Sequence, residues 1–189
     1  MKLIGSINHY RADLSGWIGS VIMLMFAGVA GFRWHLTGLI FFALLLVRDL
    51  AAAWFLLSRN TCGTRTNSRR DDLIAYASSA LPLFYLSESS GLPYGATISA
   101  LLAIAGFTLS TLALFDLGSS FGVSPANRGL VRSGIYRHLR HPMYTGYVIA
   151  ELGFMLLNPM NGVIFVGSVG LYVVRTKFEE QVLQECNKS

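Results

Sequence analysis

The sequence contains few charged residues: only 13% of its 189 residues are Asp, Glu, Lys or Arg, whereas 53% are hydrophobic. Soluble globular domains carry about 25% charged residues, so the composition excludes an ordinary water-soluble fold. Cysteine is equally scarce, because Cys62 and Cys186 are the only two and they form no C-x-x-C pair. This spacing gives little support to a disulfide framework or to a zinc site.

Long hydrophobic runs take up most of the chain and predict an all-α, polytopic membrane protein. Four runs precede residue 116, at residues 15–32, 36–57, 73–86 and 96–115. A further apolar block at 143–174 is interrupted by N-P-M-N-G at 158–162, which predicts a helical hairpin. We therefore expect five to six transmembrane helices, four or five of them full spans. They form one membrane domain, with a four-helix part at 1–115 and a connector, hairpin and C-terminal helix at 116–189.

The basic residues are distributed unevenly over this arrangement. If the N-terminus is cytoplasmic and six helices alternate in direction, thirteen of the 15 Lys and Arg residues lie on the inner side. Arg33 alone lies outside, and Arg48 lies within a span. The positive-inside rule thus predicts cytoplasmic N- and C-termini in a prokaryotic inner membrane or an endomembrane. The net charge of +5 is interpreted as a topology signal, so the lipid bilayer is the expected partner and nucleic acid is not. Asp13 and the later spans argue against a cleaved signal peptide.

The longest polar segment, at residues 116–142, separates the fourth run from the hairpin. Long ordered loops are frequently functional, and glycines allow backbone amides to approach a ligand closely. The segment and the start of the hairpin are also rich in cationic and aromatic side chains: Arg128, Arg132, Tyr136, Arg137, His138, Arg140, His141 and Tyr144. This pattern predicts a pocket at the membrane surface for a ligand with a carboxylate or phosphate and a flat ring.

The second arm of the hairpin returns to the same side of the membrane and carries Arg175, Glu179 and Glu180. Arg175 and Glu179 are four residues apart and share a helix face. Adjacent carboxylates opposite a basic loop can capture an amine. The predicted pocket therefore fits a zwitterionic amino-acid group.

Three ionisable residues, Arg48, Asp49 and Glu151, lie inside apolar runs, where such residues are functional candidates. Arg48 and Asp49 are sequential on a predicted helix, so each is expected to need another partner. Glu151 either pairs with Arg48 or lines a reaction chamber. His138 and His141 are three residues apart, but they are too few to form a metal site, and none is predicted. His138 is interpreted as an interfacial residue outside the site.

The motif S-G-I-Y-R-H-L-R-H-P-M-Y-T-G-Y at 133–147 is followed by a hairpin with L-L-N-P-M-N at its tip and then by R-T-K-F-E-E-Q-V-L. This combination resembles the isoprenylcysteine carboxyl methyltransferase and phospholipid methyltransferase superfamily, from residue 116 onward. The resemblance implies a membrane-embedded methyltransferase that uses S-adenosylmethionine. It implies that His141, Pro142 and Tyr144 help to bind the cofactor, with Glu179 and Glu180 near its amino-acid end. Four further residues would shape the loop around it: Gly118, Gly134, Tyr136 and Gly146.

The predicted reaction is direct methyl transfer to a lipophilic or membrane-associated acceptor. The candidate acceptors are a prenylcysteine-type carboxylate, a lipid, or a small thiol or amine. Arg140 is expected to hold an acceptor carboxylate or phosphate through paired hydrogen bonds. If the acceptor is an amine or thiol, Glu151 or Tyr144 would remove its proton. Arg140, Tyr144 and Glu151 are therefore the candidate catalytic residues.

Two other functions fit parts of the sequence. One is an NADPH-dependent membrane double-bond reductase of the sterol reductase type, which resembles this chain in the cluster before the final hairpin. Such proteins typically have asparagine where this chain has Met143 and an acidic residue where it has Tyr147, and both departures favour methyl transfer. The other is a non-enzymatic scaffold or transporter subunit, with Arg48 and Asp49 lining a path. That interpretation leaves the connector unexplained.

Overall fold

The computed structural model describes residues 14–58, 64–65, 69–89, 93–122, 126–127, 131 and 133–186. The described part is almost entirely helical, which confirms the all-α class. Its α-helices are α1 (Leu14–Thr37), α2 (Ile40–Ser58), α3 (Arg69–Ala80), α4 (Gly95–Leu117), α5 (Pro142–Leu157) and α6 (Gly162–Cys186). Short 3₁₀ turns occupy Leu81–Phe84, Gly118–Ser120, Gly134–Arg137 and Pro159–Asn161. Strands β1 (Thr64–Arg65) and β2 (Ala126–Asn127) form one antiparallel pair.

Three of the described helices, α1, α2 and α4, are long and apolar enough to cross a membrane. The 23 residues of α4 extend about 35 Å, against a hydrocarbon thickness of about 30 Å. Fewer helices therefore qualify by length and composition than the four or five full spans expected from the sequence. Helix α5 has only 16 residues, whereas α6 has 25 because it continues into polar sequence. The protein is a polytopic membrane protein with a C-terminal helical hairpin.

The third apolar run, predicted as one helix over 73–86, is instead divided into a helix, a 3₁₀ turn and an irregular segment. Pro82 lies at the start of the 3₁₀ turn, where it cannot continue the hydrogen-bond ladder of α3. In lipid, an irregular backbone needs partners from the protein itself. Arg33 donates to Tyr85 O at 2.6 Å, and Asn161 both accepts from Leu86 N at 2.8 Å and donates to Leu86 O at 3.0 Å. These two side chains supply hydrogen-bond partners to the backbone where the helix is interrupted.

The two ends of the helix bundle differ in what they carry. Strand β1 follows α2 and β2 follows α4, and their pairing places both polar segments at one end, which we call the connector face. At the opposite end, the tip face, Asn158 of the hairpin tip donates to Glu88 O at 3.1 Å. The segment from α3 to Glu88 thus runs from one face to the other. The loop between α2 and α3 contributes strand β1 to this end of the bundle.

Helices α4 and α5 lie against each other at backbone distance because small residues line their interface. A Cβ added to Gly106 would meet Gly146 O and lie 2.5 Å from Ala150 N, and one added to Gly146 would lie 2.8 Å from Ser110 N. Small residues at such an interface are typical of membrane helices, where close packing replaces the hydrophobic effect. Gly146 therefore lies in α5 against α4 and not in the connector loop. Its packing fixes the position of the first turn of α5.

Candidate active site

The first turn of α5 and the last turns of α6 meet at the connector face. Pro142 begins α5, a position where its missing N–H costs nothing, and His141 directly precedes it. Nε2 of His141 lies 3.1 Å from Oε1 of Glu180, and Nε of Arg140 lies 3.3 Å from the same oxygen. The predicted convergence of the R-H-P-M-Y motif with the Glu-Glu pair is confirmed.

Glu180 has both a cationic partner and access to solvent. The hydrogen bond to His141, together with the charge of nearby Arg140, lowers the pKa of Glu180 below its ordinary value. Its side chain is about one-third exposed. Glu180 therefore stays ionised at neutral pH and can be reached by an ammonium group from water.

Tyr144 is held by two residues of α6. Its hydroxyl donates to Oε1 of Glu179, and the guanidinium of Arg175 lies over its ring, 5.2 Å from the centroid. Arg175 is buried and donates from Nη1 to Oγ of Ser78 in α3 at 2.9 Å. A decorated helix end would leave Arg175 in solvent. Instead it ties α6 to α5 and α3, and the four-residue spacing aims Arg175 and Glu179 at the same tyrosine.

Three tyrosines, Tyr144, Tyr147 and Tyr172, form a buried group that we call the tyrosine cluster. Their ring centroids lie 5.6 to 6.3 Å apart in tilted and edge-on arrangements. Arg175 covers one end of the cluster, and Arg48 of α2 covers the other at 5.1 Å from the Tyr147 centroid. The cluster thus lies between two buried arginines.

Glu151 lies deeper than the cluster and is only 1% exposed. Oε2 accepts from the Tyr85 hydroxyl at 2.9 Å and Oε1 accepts from the Tyr172 hydroxyl at 2.5 Å. Arg48 acts on Glu151 through its charge, and the described residues show no hydrogen bond or ion pair between the two side chains. Tyrosine hydroxyls satisfy this carboxylate, and the polar contacts of the third crossing place Tyr85 beside it.

Arg48 and Asp49 pair with each other, which corrects the expectation that each needs another partner. Nε of Arg48 donates to Oδ1 of Asp49 at 2.8 Å, and Nη2 donates to the same oxygen. Side chains at adjacent helix positions point about 100° apart, but the long arginine side chain bends back far enough to close this gap. The spacing of two residues along a helix does not show how far a long side chain can bend towards its neighbour.

A carboxylate that the sequence marked only as a boundary fixes the connector loop. Asp116, in the last turn of α4, accepts from the backbone N–H of Ile135 at 2.8 Å through Oδ2. Gly134 has φ +58°, and a Cβ there would meet the Asp116 carboxylate, so only glycine fits. Gly118 ends α4 with φ +48°. Two of the predicted loop glycines thus occupy turns that require positive φ.

Tyr136 follows this turn and is partly buried. Burial raises the pKa of its phenol above the ordinary value, and the neighbouring Tyr147, Glu179 and Asp116 add to this effect. Tyr136 therefore remains a hydrogen-bond donor at neutral pH. Arg137 and His138 are exposed, and Arg128 and Arg132 lie outside the described residues.

If the site binds S-adenosylhomocysteine, as the resemblance of the motif implies, replacing Asp116 with Asn is expected to weaken that binding about 5-fold, because the Ile135 N–H loses a charged acceptor. Calorimetry on the detergent-purified protein measures this affinity. Glu88→Gln, an exposed carboxylate at the tip face, is the matched control and should bind as wild type. Equal affinity for Asp116→Asn and wild type would show that the turn does not position the site.

Comparison with known proteins gives one family. Residues 99–185 match the model of the isoprenylcysteine carboxyl methyltransferase family, which confirms the resemblance expected from the connector motif. The chain is 32% identical over 93 residues to protein-S-isoprenylcysteine O-methyltransferase A of Arabidopsis thaliana, covering 45% of this chain and 47% of that protein. It is 34% identical over 89 residues to protein-S-isoprenylcysteine O-methyltransferase of Rattus norvegicus, covering 43% and 31%. The chain thus spans less than half the length of these curated relatives. No solved structure gives a significant match.

Proposed function

We propose that this chain, whose residues 99–185 match the isoprenylcysteine carboxyl methyltransferase family, transfers a methyl group from S-adenosylmethionine to a membrane-borne acceptor. The observation that carries the proposal is the junction of His141 and Tyr144 with Glu180 and Glu179 at the start of the hairpin. This junction has a water-accessible carboxylate on one side and apolar helices on the other. A polar cofactor and a lipophilic acceptor can meet there.

The charged side chains at this junction fit the amino-acid group of S-adenosylmethionine. Glu179 and Glu180 supply negative charge for its ammonium group, and Arg140, which is 76% exposed, supplies a guanidinium for a carboxylate at the rim. Tyr136, in the turn that begins at Gly134, interacts electrostatically with Glu179, and Pro142 begins the helix that carries Tyr144. Bound there, the sulfonium supplies an already activated methyl group, so the protein's task is alignment and exclusion of water.

A carboxylate is the acceptor that the site favours. An acceptor carboxylate oxygen forms the new C–O bond as the methyl C–S bond breaks and its electron pair stays on sulfur, so no proton has to be removed. An amine or thiol acceptor would need a base. Both oxygens of Glu151 already accept tyrosine hydroxyls, and Tyr144 donates to Glu179. The curated relatives carry names that specify O-methyl transfer to an S-isoprenylcysteine.

We further propose that the connector face is cytoplasmic, which follows from the excess of basic residues in the polar segments at that end. The cofactor then enters from the cytoplasm. The acceptor, a lipophilic or lipid-anchored molecule, reaches the site from the bilayer.

Replacing Glu151 with Gln is expected to lower methyl transfer to a carboxylate acceptor no more than about 3-fold and to leave its pH profile unchanged. Glutamine has nearly the same shape as glutamate, and its carbonyl oxygen can still accept a hydrogen bond from one of the two tyrosine hydroxyls. If Glu151 instead removes a proton in the reaction, the loss should reach about 10²–10⁴-fold. Initial rates with labelled S-adenosylmethionine between pH 6 and 9 separate these outcomes.

The function is tested with purified protein, labelled S-adenosylmethionine and a membrane extract as acceptor source. We expect label in organic-extractable material, and a higher melting temperature with S-adenosylhomocysteine but not with NADPH. A shift with NADPH alone would support the reductase. A shift with neither ligand and no transferred label would leave the scaffold as the better explanation.

A further inference from the structure

The Arg48–Asp49 pair lies on α2, outside residues 99–185, and the function proposed above gives it no task. Arg48 is 4% exposed and Asp49 is fully buried, although Val47 and Leu50 in the same turn face the lipid. A buried ion pair costs desolvation energy that it recovers only when its remaining hydrogen-bonding positions are satisfied. Ionisable residues within membrane spans usually serve a ligand or a transport path.

This pair leaves hydrogen-bonding positions open. Nε and Nη2 of Arg48 both donate to Oδ1 of Asp49, which uses one of the two edges through which a guanidinium binds a carboxylate. The second edge of the guanidinium consists of Nη1 and the remaining hydrogen of Nη2. Among the described residues, no group accepts a hydrogen bond from Nη1, so this edge can bind a second carboxylate. Oδ2 of Asp49 is also buried without a hydrogen-bond partner in the described part of the chain.

The position of Arg48 relates it to the reaction site. Its guanidinium lies over Tyr147, whose ring is edge-on to Tyr144, and it interacts electrostatically with Tyr172. Arg48 is thus on the membrane side of the tyrosine cluster, whereas Arg140 is exposed at the connector face. A carboxylate bound by Arg48 would therefore lie beside buried tyrosines and apolar helices, and not in water.

We propose that Arg48 binds the carboxylate of the methyl acceptor, and that Asp49 is the positioning residue that fixes the guanidinium for it. This inference rests on the proposed methyl transfer and names the residue that selects the acceptor. Among the described residues, the four buried acidic and basic side chains around the cluster are Arg48, Asp49, Glu151 and Arg175, and their formal charges sum to zero. An acceptor carboxylate together with a sulfonium therefore adds no net charge to the site. A cationic headgroup beside Arg48 would be repelled.

The test compares two probes, 3-(farnesylthio)propanoate and its carboxamide, in which a neutral amide of nearly the same shape replaces the charged carboxylate. Binding is measured by calorimetry in detergent with S-adenosylhomocysteine present. Wild type is expected to bind the carboxylate about 30-fold more tightly than the carboxamide. The ratio of these two affinities should fall to about 1 in the double variant Arg48→Met/Asp49→Leu, which removes both charges of the pair together. Its affinity for S-adenosylhomocysteine should stay within about 2-fold of wild type, since the cofactor residues are untouched.

Further variants keep the test decisive. Arg48→Lys retains the charge but lacks the two-hydrogen edge, so the ratio should fall about 5-fold even if the double variant does not fold. Val47→Ala, on the lipid-facing side of the same turn, should keep the ratio. Arg140→Gln should weaken S-adenosylhomocysteine binding and also keep the ratio.

Three results would overturn the assignment: an unchanged ratio in both Arg48 variants, loss of the ratio in Arg140→Gln, or a ratio of 1 in wild type that binds S-adenosylhomocysteine. Failure of wild type to bind S-adenosylhomocysteine at all would instead reject the proposed function, on which this inference rests.

Discussion

The variant His141→Ala is expected to bind S-adenosylhomocysteine about 30-fold more weakly than wild type. His141 holds Glu180 through a hydrogen bond of 3.1 Å and stands beside the Tyr144 ring, with 6.1 Å between the ring centroids. Hydrogen bonds to charged groups contribute about 1.5–3 kcal/mol, and each 1.4 kcal/mol changes affinity tenfold. Without the imidazole, Glu180 retains only the exposed Arg140 as a partner within the described part of the chain. Calorimetry in detergent measures the affinity.

His138 provides the matched control for this variant. It is a histidine three residues earlier in the same segment, its side chain is exposed, and it carries no predicted role. His138→Ala should therefore bind S-adenosylhomocysteine as wild type does. If the two alanine variants bind equally well, the cofactor site has been placed wrongly.

The variant Gly106→Ala is expected to destabilise the protein by about 3 kcal/mol, at the upper end of the usual cost of overpacking. The new methyl group would meet Gly146 O and lie 2.5 Å from Ala150 N, and both obstacles are backbone atoms that no side-chain rotation can move. Helices α4 and α5 must then separate. A loss of this size lowers the melting temperature by about 6–12 °C for a chain of this length, as measured by thermal unfolding in detergent.

Gly28→Ala and Gly170→Ala make the same change where nothing lies within 4 Å of the added Cβ. Alanine is the better helix former by about 1 kcal/mol, so these variants should be as stable as wild type or slightly more stable. The sign of the effect thus separates interface packing from helix propensity. A Gly106→Ala protein that melts with the controls would mean that α4 and α5 are not in backbone contact. Gly106→Ala should also weaken S-adenosylhomocysteine binding, because α5 carries Tyr144.

Some residues of the candidate site could be predicted from the sequence, and one could not. The motif at 133–147 and the Glu-Glu pair of α6 supplied His141, Tyr144, Glu179 and Glu180, and the structure brings them together. Asp116 was missed as a site residue because nothing in its local sequence relates it to Ile135, 19 positions later. A signal was present nonetheless, since Gly134, one residue before Ile135, is a glycine that such a turn requires.

The sequence by itself determined the helical membrane class, the start of α5 to within one residue, the tip at 158–162 and the polar connector between α4 and α5. Each of these depends on residues within a few positions of one another: a hydrophobic run of sufficient length, a proline that cannot continue a helix, or a clustering of charge. Such local features act in any tertiary arrangement.

Only the tertiary structure decided the partners of the buried polar groups. Glu151 accepts from Tyr85, 66 positions away, and Arg175 donates to Ser78, 97 positions away. Pro82 and the polar contacts of Arg33 and Asn161 turned one predicted helix into a broken crossing that places Tyr85 beside Glu151. Lipid offers buried polar groups no hydrogen bonds, so each must find a partner in whichever element packs against it. That choice depends on how the helices assemble and is absent from local spacing.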